Sequence, residues 1–471
     1  MESTQNQQNA VSIEVPGSKS LSHRYLIGAA LANGTSTLRN VQNSSDIHVT
    51  RTLLEQIGAK IEPVSDRELS VSGVHGVVRG GSGSPMDCDV GESGTSCRLL
   101  SAVFAAGDGL FRIFGHGRMH DRPVEDLCHA LTRLGAGVVY TGKTGCPPFL
   151  LQARGLNPDL VKGELSIGMD ASSQYFSGLL LAAAMCPTSL VLELGGNKAV
   201  SWPYVGLTLQ CLTDFGLSFS VATRPDKTAA WKTLADGAWR EVALAVPGCL
   251  RISVSPGSYR SGVYEIEGDW SQASYFLAAG ALGSRPVCVR GLQEDSLQGD
   301  RIMLDILCKM GAQLSLGDNC VTVFPSPLHG VDLDMSACPD LVQTVAVLAA
   351  FAHGSTRIRN VAHLRLKESD RIAAPAEELG KIGVVADTLS DGLLISGKGG
   401  NVHMKRGEST LPSLPEGCMF SSHNDHRMAM ALALLDLVNP DLHVQSRLDD
   451  ATVVKKSFPD FWTKWQCVLA K

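Results

Sequence analysis

One pattern recurs six times along the 471 residues and constrains the fold more than any other feature. Each copy opens on a small polar cluster, continues as a run of small apolar residues at helical spacing, turns, and ends in a short β-rich stretch. The copies are "SKSLSHRYLIGAALANGTSTLRNV", "SGTSCRLLSAVFAAGDGLFRIFG", "SSQYFSGLLLAAAMCPTSLVLELGG", "SQASYFLAAGALGSRPVCVRGL", "PDLVQTVAVLAAFAHGSTRIRNV" and "DHRMAMALALLDLVNPDLHVQS". After most of them a second, more amphipathic helix ends on glycine, as in "VTRTLLEQIGAKI" and "IAAPAEELGKIGVV". Glycine there can take the left-handed cap that closes a helix before the next strand. The first helix of each unit, small and apolar on nearly every side, should be buried all round, and the second should cover the outside.

Six such units can stack as a solenoid or gather into two groups of three. The stretch from Thr223 to Tyr264 breaks the rhythm between the third and fourth copies, which favours two lobes with a boundary near Tyr264. Within it, Trp231 to Val246 reads as an insertion without a functional assignment, its aromatics serving packing. A chain of this length with 44% hydrophobic residues can bury a sizeable core and exceeds one ordinary domain.

A net charge of −6 argues against a protein that coats nucleic acid or an anionic membrane, while leaving room for a locally basic cleft. The thirteen cysteines are odd in number and none lie closer than Cys88 and Cys97, so redox and zinc-ribbon spacings are absent and reduced thiols are expected. The polar start "MESTQNQQNA" lacks the pattern of a leader, and no uninterrupted apolar run reaches membrane-spanning length. A cytoplasmic, soluble protein is the expectation.

Helices that begin on Ser, Thr, Lys, Asp or Gln present unsatisfied N–H groups and a partial positive charge, which suits either ordinary capping or capture of an anion. Cations accompany the clusters: Lys19 and Arg24 at the first helix, Arg98 at the second, Arg122 after the second strand and Arg427 at the sixth. Charges so near buried helices need partners, and a phosphorylated ligand would supply them. The start "VPGSKS" is not a nucleotide-binding P-loop, because Ser18 separates Gly17 from Lys19 and Ser12 stands where the earlier glycine belongs. In "RLKESDRI", Lys367 and Arg371 can bind anions and Glu368 can exchange a proton, although Ser369 or Asp370 capping a helix in a solvated turn explains the same residues.

Together, "PGSKSLSHR", "GESGTSCRLL", "RMHDRPVEDL", "SSQYFSGLLLAA", "SWPY", "EGDWSQASYFLAA", "PDLVQTVAVLAAFA", "RLKESDRI", "NDHRMAMALAL" and "KKSFPDFW" resemble the 3-phosphoshikimate 1-carboxyvinyltransferase (EPSP synthase) family from about Val11 to Trp462. The resemblance implies an α/β, two-lobed enolpyruvyl transferase fold, an inside-out α/β barrel of six βαβαββ repeats, three per lobe. Residues 21–264 would form the first lobe, residues 1–20 with 265–471 the second, with hinges near Ser20 and Tyr264 and the buried helices pointing into the cleft between lobes. It implies transfer of the enolpyruvyl group of phosphoenolpyruvate to the 5-hydroxyl of shikimate 3-phosphate with release of phosphate, on the route to chorismate and the aromatic amino acids. No cofactor or metal is implied; the partners are the two small substrates, with no nucleic acid and no membrane, and the chain acts as a monomer.

By the same resemblance, Lys19, Ser20, Arg24, Ser172, Ser173, Gln174, Ser201, Tyr204, Asp340 and Lys367 meet shikimate 3-phosphate. Lys19, Gly94, Thr95, Arg122, Gln174, Arg371, Arg427 and Lys456 meet phosphoenolpyruvate. Asp340 is the general base, Glu368 the proton donor to C3, and Lys19 and Lys367 are rivals for proton transfer, since neighbouring charges can set two acids to different protonation states. Glu92 and His363 depart from the commoner pattern and are left out of the site. The related UDP-N-acetylglucosamine enolpyruvyltransferases carry a reactive cysteine before their Arg-Pro motif, and "FGHGRMHDRPVED" has none. A catalytically dead anion-binding protein on the same fold would have no need of both carboxylates.

Overall fold

The computed structural model describes residues 10–161, 163–399 and 418–470. The chain divides into two compact units, Ser18–Ile266 and Met1–Gly17 with Glu267–Lys471. Its crossings fall at Gly17 and Ile266, a few residues from Ser20 and Tyr264, for local reasons. Lys19 already begins a helix of the first unit, and strand Val263–Glu265 pairs in parallel with Thr35–Arg39 of that same unit.

Helices are numbered here in chain order: α1 Lys19–Leu31, α2 Ser45–Gln56, α3 Gly94–Ala105, α4 Glu125–Arg133, α5 Gln174–Ala183, α6 Pro203–Asp214, α7 Trp270–Leu282, α8 Met303–Lys309, α9 Val342–Ala350, α10 Ala373–Lys381 and α11 His426–Ala433. The small-residue helices are buried as their composition predicts: every residue of α7, α9 and α11 lies inside. Such a helix has no wet face, so its stability comes from apolar contact on all sides, about 25 cal/mol for each Å² removed from water. The glycines that end the second helices all take positive φ, from Gly58 at 105° to Gly383 at 73°, the conformation the caps require.

Five sheets share one plan. In the first unit they run, in spatial order, Val263–Glu265, Thr35–Arg39, Glu68–Ser72, Lys60–Ser65; then Met86–Asp89, Asp108–Phe114, Phe149–Arg154, Gly137–Tyr140; then Leu165–Met169, Leu190–Ala199, Leu250–Val254, Phe219–Thr223, Lys232–Thr233. In the second unit they run Val11–Glu14, Val287–Arg290, Cys320–Phe324, Gln313–Gly317, and Asp332–Asp334, His353–Arg359, Leu393–Lys398, Val385–Thr388. Each opens on a parallel pair and continues antiparallel, as Val11↔Val287 and then Val287↔Val323 illustrate. The parallel pair needs a long crossover, supplied by a buried helix, by the other unit or, between Thr35–Arg39 and Val263–Glu265, by the rest of the first unit, whereas the antiparallel strands need only turns.

The sixth copy departs from expectation. Its stretch "HVQS" forms a helical turn, Val444–Arg447, in place of a strand. His443 takes a left-handed conformation after the turn Pro440–Leu442, and the Val444 N–H donates to Asp436 Oδ1 at 2.8 Å, so the backbone coils where a ladder would have to extend. Among the described residues, Phe420 makes only an isolated bridge with Leu448 there.

The thirteen cysteines form no disulfide. Among the described residues no helix is long and apolar enough to cross a membrane.

Candidate active site

In the first unit the start of α1 delivers Lys19, Ser20 and Arg24 to one place. Ser18 caps the helix, its Oγ accepting from the Leu21 N–H. Lys19 Nζ lies 3.2 Å from Asp46 Oδ2 at the start of α2. Arg24, 1% exposed, donates through Nη1 to the Ser20 carbonyl at 2.8 Å, through Nη2 to the Tyr204 carbonyl at 2.9 Å, and through Nε to Thr208 Oγ1 at 2.8 Å. Burial lowers its guanidinium to about 10, so it stays cationic at neutral pH. One arginine thereby fixes the α1 start against the segment bearing Ser201 and Tyr204. Its long reach lets it satisfy several carbonyls and hydroxyls at once.

A second knot joins α3, α5 and the turn at Arg122. Ser93 caps α3. Gln174, at the start of α5, donates through Nε2 to Thr95 Oγ1 at 2.9 Å and accepts from Arg98 Nη1 at 3.0 Å, while its N–H donates to Ser172 Oγ at 3.2 Å. Arg98 also donates to the Pro123 carbonyl, and Arg122 to the Glu92 carbonyl at 3.2 Å. A Cβ at Gly94 would run into the guanidiniums of Arg122 and Arg98, so a side chain there would displace both from their present positions. Behind these groups a buried hydroxyl chain runs from His23 Nδ1 through Thr50 and Ser96 to Ser93, each link 2.7 Å. Burial, with Lys19 and Arg24 nearby, holds the His23 imidazole well below its usual value, which keeps it neutral beside two cations.

Ser173 is buried at the α5 start, and Ser201 is buried with φ of 57°. A serine at positive φ stores strain of order 1 kcal/mol or more and persists where its surroundings hold it.

The second unit carries the carboxylates. Arg371, 2% exposed, sits among three of them: Nε donates to Asp425 Oδ2 at 2.7 Å, Nη1 to Asp340 Oδ1 at 2.9 Å, and Nη2 lies 2.9 Å from Glu368 Oε2. Arg427 Nη2 donates to the other oxygen of Asp340 at 2.7 Å. Burial alone would lower the Arg371 guanidinium, but Asp425, Glu368 and Asp340 around it hold it above its usual value. Asp425 caps α11, accepting from the Arg427 N–H, and also accepts from Ser369 Oγ, so it ties the two motifs together. Lys367 is half-buried before this cluster, and Lys456 is half-buried at the end of the turn Ala451–Lys456, which packs on α11.

Of the expected site residues the structure thus joins Asp340, Glu368, Arg371 and Arg427 in the second unit, and Lys19, Ser20, Arg24 and Tyr204, with Gly94, Thr95, Arg122, Ser172 and Gln174, in the first. Three residues outside that set hold it in place: Asp46, Arg98 and Asp425. Arg98 stood out in the sequence as a cation beside a buried helix, and Asp425 sits within "NDHR"; Asp46 gave no signal. Among the described residues one further cluster, Glu377, Glu378 and His423, has metal-ligand chemistry. Lys381 Nζ lies 2.8 Å from Glu378 Oε2 and His423 Nε2 2.9 Å from Oε1, so the carboxylate already has its cation, and the cluster ties α10 to the loop before Asp425.

Each unit, on a mixed α/β fold, holds buried cations near helix starts, and the second adds two acids on one guanidinium; groups of these kinds can bind small anions and exchange protons. The family model described as EPSP synthase (3-phosphoshikimate 1-carboxyvinyltransferase) matches residues 3–230 and 244–465. Curated proteins named 3-phosphoshikimate 1-carboxyvinyltransferase are similar along nearly the full length. That of Shewanella sediminis is 34% identical over 459 residues, covering 96% of this chain and 95% of the relative, and that of Shewanella baltica (strain OS185) is 36% identical over 454 residues, with 96% and 95% covered. A solved structure of EPSP synthase from Acinetobacter baumannii superposes with a TM-score of 0.70 at 24% identity, covering 97% of this chain and 96% of that one. The chain belongs to the EPSP synthase family. The family model passes over residues 231–243, within the stretch that reads as an insertion.

Proposed function

We propose that the chain is a 3-phosphoshikimate 1-carboxyvinyltransferase that works by positioned acid–base catalysis among fixed cations. The observation that carries this reading is the pair of acids, Asp340 and Glu368, held on one buried guanidinium within a chain of this family. Lys19, Ser20, Arg24, Ser172, Ser173, Gln174, Ser201 and Tyr204 bind shikimate 3-phosphate, with Asp340 and Lys367 near its hydroxyl. Gly94, Thr95, Arg122, Arg371, Arg427, Lys456 and Lys19 bind phosphoenolpyruvate. Fixed cations aimed at phosphate and carboxylate lower the cost of bringing two anions together, because they need no reorganisation when the substrates arrive.

Asp340 takes the proton of the 5-hydroxyl as its oxygen bonds to C2 of phosphoenolpyruvate, and the π electrons of C2–C3 take a proton from Glu368. The methyl group formed then returns a proton, the C2–C3 double bond re-forms, and the C2–O bond to phosphate breaks. Positioned acid–base catalysis of this kind is worth about 10²–10⁴-fold in rate. The five sheets of common plan support a reading of six repeats, three to a lobe, in a monomeric, cytoplasmic protein.

The Glu368→Gln variant tests the assignment. It should bind both substrates, as read by calorimetry, yet lose about 10²-fold or more in turnover. Turnover retained within a few fold of wild type removes Glu368 from the proton-donor role.

A further inference from the structure

Residues 231–243, which the family model passes over, fold back onto the segment that carries two proposed contacts to shikimate 3-phosphate. Lys232–Thr233 adds an antiparallel edge strand to Phe219–Thr223, in the register Ala222↔Thr233. Trp231 is wedged under two guanidiniums, Arg224 at 4.1 Å and Arg251 at 4.6 Å from its ring centroid. Trp239, 6% exposed, meets the edge of Phe219 with ring centroids 5.8 Å apart. The segment is therefore anchored at both ends by aromatic contact and by main-chain pairing.

From that anchorage it also reaches the turn before α6. The indole Nε1–H of Trp202 donates to the Val242 carbonyl at 2.7 Å. Trp202 is 6% exposed and lies between Ser201, at φ of 57°, and Pro203, the first residue of α6. Main-chain bonds also close this turn, from the Tyr204 N–H to the Ser201 carbonyl at 3.2 Å and from the Val205 and Gly206 N–H groups to the Trp202 carbonyl at 2.8 and 3.4 Å. A strained residue needs surroundings that over-determine it. The inner side has Arg24 on the Tyr204 carbonyl; the outer side has the added segment.

We infer that residues 231–243 act through Trp202 as a positioning brace for the Ser201–Tyr204 turn, setting the affinity for shikimate 3-phosphate. The inference rests on the substrate reading proposed above. Trp202 and the brace touch no reacting atom. Their effect falls on the binding of one substrate and leaves the chemical step alone.

Steady-state kinetics of four proteins test it: wild type, Trp202→Phe, a chain joining Ala230 directly to Leu244 as the family model does, and the two changes combined. Loss of the indole bond, about 1 kcal/mol, should raise the KM for shikimate 3-phosphate about fivefold in either single variant, with kcat and the KM for phosphoenolpyruvate within about twofold of wild type. The combined variant should be no worse than either alone, because both remove one interaction. An unchanged KM for shikimate 3-phosphate, an equal rise for both substrates, or additive effects would overturn the brace. Amide exchange across residues 199–206 gives a second readout that needs no turnover: it should quicken in both single variants, and unchanged protection also overturns the inference. A wild-type protein without turnover would count against the proposed reaction instead, leaving the exchange measurement to decide the brace.

Discussion

Arg371 concentrates the chemistry of the second unit, because three carboxylates converge on a guanidinium that is 2% exposed. Removing one partner of a buried ion pair leaves charge without compensation, which is costlier than the pair was stabilising. Asp425→Asn should therefore lower stability by about 3 kcal/mol, at the low end of the usual range because Asp340 and Glu368 remain. A thermal unfolding scan checks this, and a midpoint equal to wild type would show that Asp425 is not needed to neutralise Arg371. Much of this cluster was legible as residue types: "KESDR" and "NDHR" announce cations and acids beside apolar helices. Their pairing was not, since Arg371 and Asp425 stand 54 residues apart, as Lys19 and Asp46 stand 27 apart and Arg98 and Gln174 76 apart. Local pattern carries no information about such distances. Glu92, which departs from the commoner pattern, offers its main-chain carbonyl to Arg122 at 3.2 Å.

Helices α3 and α5 show how the apolar pattern sets the site. Gly178 of α5 faces α3 so closely that a Cβ there would lie 2.8 Å from the Arg98 carbonyl and 3.2 Å from the Ala102 Cβ. That approach brings Gln174 at one helix start within reach of Arg98 on the other. Gly178→Ala should push the helices apart, costing about 1–3 kcal/mol by overpacking and lengthening the Arg98–Gln174 bond. Denaturant midpoints measure the first effect, and an unchanged midpoint would mean the helices have slack. The small-residue runs made these helices readable in the sequence, as the terminal glycines did the second helices of each unit, because both depend on composition at helical spacing. The failure at "HVQS" has the opposite origin: a turn and a side-chain acceptor, Asp436, outcompete the strand preference of a short segment.

The passage from one unit to the other carries its own titratable group. Glu267 opens the second unit, is 6% exposed, and accepts from Ser296 Oγ. Burial raises its carboxyl from 4.5 to about 7, with Asp295 and Asp269 adding to the rise and the bonds from Gln298 and Ser296 opposing it. The folded chain thus binds more protons than the unfolded chain between those values, so this group's contribution to stability is present below pH 4.5 and is lost as pH rises through about 7. At pH 8 Glu267→Gln should be more stable than wild type by on the order of 2 kcal/mol, a difference that disappears towards pH 4. Equal pH profiles for the two proteins would show that Glu267 ionises normally. Incubation with phosphoenolpyruvate and shikimate 3-phosphate should release phosphate in equal amount to an enolpyruvyl ether on the 5-hydroxyl, seen by mass spectrometry, and neither substrate alone should release phosphate. Binding of both substrates without phosphate release or the ether would contradict the account.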